Sequence, residues 1–331
     1  MVTTSAEFRD NNHVLSGVSD VRPRIEGADG PGPAARARAG RRDRPAIRVM
    51  ARLNPSSAAL QAWDALVDRT PGTDVTQFST WGMLRGLAGF APLYLLAHRS
   101  TDLVGGALIM TRRVPVLGSL GYLPYGPLVA AGTAGPDDVT RALADALVVL
   151  GRRRLRMLFV QPPEGAERMS CELLRRGFRP SSAGIAPTGS IRIDLTADLA
   201  EIRSRFGKRL KSWTNRWESR GVTVRIGDES DIPLLVNLMA TAAQHQGYQP
   251  LPPDYVATLY RKLAATGHAA LFVGEVNGVP VAADLVTRCG GMVRGRAVRV
   301  RPGRGGGPAE RAGRHPLADH PVGQGKRIPV A

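Results

Sequence analysis

The stretch "LFVGEVNGVPVAADLV", residues 271–286, decides the fold class. Asn277-Gly278 is a two-residue hairpin signal, because both central positions of a type I′ turn need φ > 0. The flanking runs are rich in Val, Leu and Phe, so the stretch reads as strand, turn, strand. A counterpart lies upstream, where "PLYLLAHR" is followed by "LVGGALI" at 103–109. Each hairpin is preceded by helical periodicity and a short strand. The order repeats, and the repeat starts again after about residue 198. An α/β (α+β) protein with two tandem units of similar plan is expected.

Working outward, "AIRVMARL" at 46–53 reads as a strand. A helix is expected over 57–68, with Leu60, Trp63 and Val67 inward. A second helix follows, with Ser79 or Thr80 as its cap. Turns at Asp102 and Gly118 divide three successive strands. Further on come a helix over 136–153, a buried strand in "RMLFVQPP", a helix stopped by Gly177, and a strand in "IAPTGSIRIDL". In the second unit, helices are expected in "DIPLLVNLMATAAQHQG" and "PDYVATLYRKLAATG". Residues 1–45 are low in apolar content and read as a disordered leader. The expected domains are 46–198 and 199–290, the second cut short at its C-terminal end.

The second unit opens on "LKSWTNRWESRGVTVRIGD", 210–228. As one helix it would place Leu210, Trp213 and Trp217 on a single face, amid five cations. Gly221 would end it in the left-handed conformation. Val222, Val224 and Ile226 would then form a strand with one buried face. A basic helix strapped to a sheet by tryptophan is a candidate anion site.

The formal charge is +17, with 41 arginines against four lysines. Much of it sits in the two terminal segments, and residues 51–290 carry only +7. That balance fits a phosphate-bearing substrate better than a chain-wide nucleic-acid footprint. Two cysteines, Cys171 and Cys289, are too few for a disulfide framework, and reduced structural thiols are expected. The longest apolar run, "LVGGALIM", is too short to cross a bilayer. The N-terminus lacks a signal-peptide core. A cytoplasmic protein is expected, touching at most a membrane surface. The histidines lack metal-ligand spacing, and no Ser-His-Asp set can be argued.

The segments "QFSTWGMLRG", "GYLPYGPLV", "RGVTVR" and "GVPVAADLV", in that order, resemble the FemAB family of peptidoglycan interpeptide-bridge aminoacyltransferases, also called lipid II glycyltransferases. The resemblance covers about 46–290. It implies two tandem domains like Gcn5-type N-acetyltransferases. It also implies transfer of an amino acid from aminoacyl-tRNA to the stem peptide of lipid II or a UDP-linked muropeptide (UDP-MurNAc-pentapeptide). Aminoacyl-tRNA would be co-substrate, with no further cofactor and no metal. A monomer at the inner membrane face is implied. Gln77, Trp81 and Arg85 match the family's glutamine, tryptophan and phosphate-binding cation. Pro124, Tyr125, Gly126 and Pro127 match its turn, with Tyr125 at a substrate contact. Lys211 matches a second phosphate-binding cation, and Tyr255 an aromatic beside the substrate channel. The chain departs from the pattern at Val129, Ala130 and Ala131, where the family often has an acid. The long helical arm of some members is missing.

Two other functions are open. "RGGGPA", 304–309, fits the short acetyl-CoA pyrophosphate pattern of an N-acetyltransferase, although no apolar helix follows it. A non-enzymatic RNA-binding module could use the basic helix and tail. Residues 291–331 hold nine Gly and five Pro and lack aromatics. They are expected to be disordered and to supply no strand. A neighbouring reading frame of 308–331 can encode an amphipathic helix with aromatics, so a frameshift is the sharper expectation for this tail.

Overall fold

The computed structural model describes residues 45–181, 183, 192–247 and 249–300. The first unit begins with β1 (Ile47–Arg52) and two helices, α1 (Ser57–Arg69) and α2 (Ser79–Leu87). A meander follows: β2 (Ala91–Arg99), β3 (Asp102–Val114) and β4 (Gly118–Leu123). After the short β5 (Leu128–Val129) come α3 (Pro136–Arg154), β6 (Met157–Val160) and α4 (Glu167–Arg175). The sheet runs β1-β2-β3-β4-β6, with β5 pairing β3 and only β6 parallel to its neighbour.

The second unit repeats the opening of the first. Two short helices, α5 (Leu199–Ser204) and α6 (Lys208–Asn215), lead to β7 (Val222–Gly227). Then come α7 (Ile232–Gln246), α8 (Pro253–Ala264), β8 (Ala269–Val276), β9 (Val279–Cys289) and β10 (Met292–Val300). Its sheet order, β10-β9-β8-β7, is that of β4-β3-β2-β1. Strand, two helices and a three-stranded meander therefore recur, as the two hairpins imply. Asn277 and Gly278 both have φ > 0 and join Val276 to Val279 in a two-residue turn.

Alternation explains the layering. One face of β2 and β3 (Leu93, Leu95, Ala107, Ile109) packs on α3 and α4. The other face (Tyr94, Leu96, Leu108, Met110) joins a core continuous with Leu235, Leu259, Leu271 and Leu285 of the second unit. The two units thus share one apolar interior, and α2 packs on α8 across it.

Several expectations are corrected. Ser79 does not cap α2 with its own side chain. Instead Asp64, on α1, accepts from the Ser79 backbone N–H and hydroxyl. Burial holds the Asp64 carboxyl above its ordinary pKa, against the lowering effect of those two bonds. Residues 192–195 of the expected strand "IAPTGSIRIDL" lie outside any strand. The basic helix is shorter than periodicity implied. It ends at Asn215, and Trp217 opens a separate 3-10 turn. Thr214 donates its hydroxyl to the Leu210 carbonyl, a local bond of the kind that competes with helix continuation. The two tryptophans therefore do not share one helical face, and α6 has no fully buried residue. Nor does β7, the edge strand of its sheet, bury the face that alternation promised. Val224 is 53% exposed and Ile226 76%.

The C-terminal boundary also moves. Residues 292–300, expected to be disordered, form β10 and complete the meander. "RGGGPA", the frameshift reading and the expected leader, 1–45 apart from Pro45, lie outside the described residues.

Candidate functional site

Gln77 organises the place where the first unit meets the family-like turn. Strand β3 pairs with β5 at Gly105 and Gly106, and with β4 from Met110 onward. Leu108 falls in the gap between them. The Gln77 amide fills it as a peptide group would. Its Oε1 accepts from the Leu108 N–H at 2.8 Å, and its Nε2 donates to the Leu108 carbonyl at 3.1 Å. Nε2 also donates to the Pro124 carbonyl, and the Gln77 carbonyl accepts from Trp63 Nε1 at 2.6 Å. The side chain is fully buried, so these bonds are protected from water.

The next residues form the tight turn expected from "PYGP". Tyr125 has φ 47°, and the Gly126-Pro127 peptide is cis. The second unit reaches over this turn. Arg294, on β10, stacks 4.5 Å above the Tyr125 ring and pairs its Nε with Asp74 Oδ2 at 2.9 Å. Its Nη2 donates to the Gly72 carbonyl at 3.4 Å. Beside it, the Gly72 N–H donates to the Gly290 carbonyl at 3.0 Å. A Cβ on Gly290 would lie 2.5 Å from the Thr70 carbonyl oxygen, so only glycine permits this approach. His268 adds a third contact, Nε2 to Asp68 Oδ1 at 2.9 Å, with its ring edge-on to Phe78.

The four sequence-predicted residues do not line one open cleft. Arg85, Tyr125 and Tyr255 are 4%, 7% and 5% exposed. Arg85 lies in the last turn of α2, its guanidinium 4.3 Å over the Phe90 ring, and Arg112 approaches the same ring at 5.3 Å. Tyr255 packs from α8 into the shared core. Lys211, on α6, is half-buried and donates Nζ to the Ser204 carbonyl at 2.7 Å. A groove of about 360 Å³ opens instead between α7 and α8, with Ile232, Val236 and Ala257 among its lining residues. It includes Glu229 and Asp254 and none of the four. Two carboxylates make it the wrong sign for a diphosphate.

Sequence reasoning missed Arg294 and Asp74, whose contact joins residues 220 positions apart. It also named Gln77 without the strand-bridging role. Asp284, on β9, is half-buried, and its Oδ1 has no hydrogen-bond partner among the described residues. Burial raises its pKa. Cys289 is buried and Cys171 exposed, and both are free thiols. Among the described residues, no group of His, Cys, Asp and Glu could hold a metal, and no helix is long and apolar enough to cross a membrane.

The acetyltransferase (GNAT) domain family matches residues 204–302. A lipid II:glycine glycyltransferase of Staphylococcus saprophyticus is 24% identical over 237 residues, 68% of this chain and 56% of that protein. Its namesake in Staphylococcus aureus is 22% identical over 229 residues, 66% and 54%. The chain thus spans about half the length of the curated relatives it matches. A crystal structure of FemX shares the fold with a TM-score of 0.60 at 15% identity, over 77% of this chain and 80% of that one. The duplicated meander and the matched domain define a protein of two tandem units, the second with the GNAT fold. Within that plan, the chain is similar to the lipid II:glycine glycyltransferases in sequence and shares its fold with FemX.

Proposed function

We propose that this protein is an aminoacyltransferase of cell-wall cross-bridge formation. In this reading it moves an amino acid from aminoacyl-tRNA to the stem peptide of a peptidoglycan precursor, either lipid II or a UDP-linked muropeptide. One observation carries the reading: the similarity to lipid II:glycine glycyltransferases runs through both units rather than only the matched GNAT domain.

The chemistry asks little of the protein. The stem-peptide amine attacks the ester carbonyl of the charged tRNA. A C–N bond forms, the ester C–O bond breaks, and the tRNA hydroxyl leaves with a proton while the amine gives one up. The ester is already activated, so orientation and proton removal are the main requirements. Lys211 is the first candidate for the precursor's diphosphate, because its ammonium is the only one of the four predicted side chains outside the buried interior. Arg85, Tyr125 and Tyr255 stand as further candidate substrate contacts on the resemblance alone, each of them buried.

The test is incubation of the protein with a set of charged tRNAs and either precursor. A mass increase of the precursor by one aminoacyl residue, abolished by ribonuclease, is the expected result. Lys211→Ala and Arg85→Ala should weaken precursor binding, because charge-assisted phosphate bonds are the stronger kind. Acetyl-CoA consumption without tRNA dependence would favour a simple N-acetyltransferase, and RNA binding without transfer would favour a binding module.

A further inference from the structure

The lead-in to the second unit, 199–220, is built unlike the rest of the molecule. Helices α5 and α6 and the 3-10 turn at Glu218–Arg220 contain no buried residue. Helices of six and eight residues are too short to hold by propensity alone. Such a segment needs a surface to pack against. The segment carries seven arginines and lysines against two glutamates. Among the cations stand exposed apolar side chains: Leu199 is 81% exposed, Leu210 43% and Trp217 37%. On α6, Leu210 and Trp213 share one side, with Lys208 and Lys211 on the opposite one. Arg209 lies 4.5 Å over the Trp213 ring, a cation resting on an interfacial aromatic.

We propose that residues 199–220 form a docking surface for an anionic lipid bilayer. The cations would meet headgroup phosphates. Leu199, Leu210 and Trp217 would enter the boundary between headgroups and acyl chains. The protruding leucines favour this occupant over RNA. A phosphate backbone has use for the cations and an aromatic face, but none for Leu199 and Leu210. The proposal deepens the lipid II reading, because it holds the chain at the surface where that precursor is embedded. Its test is independent of transfer activity.

The experiment uses the full chain and vesicles free of lipid II and RNA, of phosphatidylglycerol with phosphatidylcholine or of phosphatidylcholine alone. The protein should co-sediment only with the anionic vesicles, less so as salt rises. Its tryptophan emission should shift to the blue. Arg216→Glu with Arg220→Glu should lower partition by about tenfold or more. Leu210→Ser with Trp217→Ser should lower it similarly, with unchanged far-UV circular dichroism. Val116→Ser, at an exposed turn of the first unit, should leave it unchanged. Equal binding to both vesicle types, or to neither, overturns the proposal. So does retention of a short RNA duplex that depends on these arginines while vesicles are ignored. Absence of transfer activity from the wild-type protein, with vesicle binding intact, would sink the enzymatic reading and leave the surface standing.

Discussion

Replacing Gln77 by alanine removes a strand partner that the chain cannot otherwise provide. Three buried groups lose their bonds: the Leu108 N–H, the Leu108 carbonyl and the Pro124 carbonyl. A buried polar group left unsatisfied costs about 1–3 kcal/mol. Water entering the space vacated by the amide would offset part of that, so about 4 kcal/mol is expected in total. For an ordered body of this size, each kcal/mol shifts Tm by roughly 2–4 °C, hence a fall of about 8–16 °C. Scanning calorimetry of the wild type and Gln77→Ala measures it directly. Gln77→Glu gives an independent check, because it keeps the volume and one acceptor. Its second oxygen would face the Leu108 and Pro124 carbonyls and must carry a proton to bond them. The folded-state pKa of that carboxyl is then raised above its unfolded value. Its contribution to stability is present below the unfolded pKa of about 4.3 and is lost as pH rises through the folded pKa. Gln77→Glu should therefore be destabilised at pH 8 and recover towards wild type near pH 4–5. A Tm for Gln77→Ala within about 2 °C of wild type, or a Gln77→Glu variant unaffected at pH 8, would refute the strand-bridging role.

Arg294→Ala should destabilise by about 3 kcal/mol in urea titration, because it removes the cation paired with the buried Asp74 carboxylate, which keeps the Thr76 N–H. Adding Asp74→Asn should return part of the loss, and additive effects would argue against a direct pair. Gly290→Ala should cost about 3 kcal/mol or more, seen as a lower urea midpoint, since its Cβ meets backbone rather than a movable side chain. Asp284→Asn should raise stability at pH 7. The buried carboxyl has a raised pKa, so its ionised form is the costly one above the unfolded value of 3.8. Solvent screening keeps the gain below about 1 kcal/mol, and it should vanish at low pH.

What the sequence revealed was local. The meanders follow from alternation, and the Asn277-Gly278 turn follows from a two-residue rule. Their recurrence was enough for the duplicated plan. What it concealed depended on neighbours. The alternation of Val222, Val224 and Ile226 is real, but Val224 and Ile226 stay in solvent, since the packing that would cover them is not encoded locally. The Trp213–Trp217 spacing suits a helix that Thr214 and the following turn cut short. Arg85, Tyr125 and Tyr255 were placed by motif order, which carries no information on depth, and all three are buried. The Arg294–Asp74 contact has no local signature, because its members meet only when the two units close on each other.

The two meanders treat their second turns differently, and that has a practical use. In the second unit, the glycine turn at 290–291 is pressed into the backbone of residues 70–73. Its counterpart, Pro115–Leu117, juts outward with Val116 wholly exposed at φ 68°. A peptide tag or fluorescent reporter spliced in beside Val116 would sit on a bare loop tip, where insertions are best tolerated. The same cassette at Gly290 would wedge the halves apart. One loop is a handle for labelling, and its twin is a keystone that no label should touch.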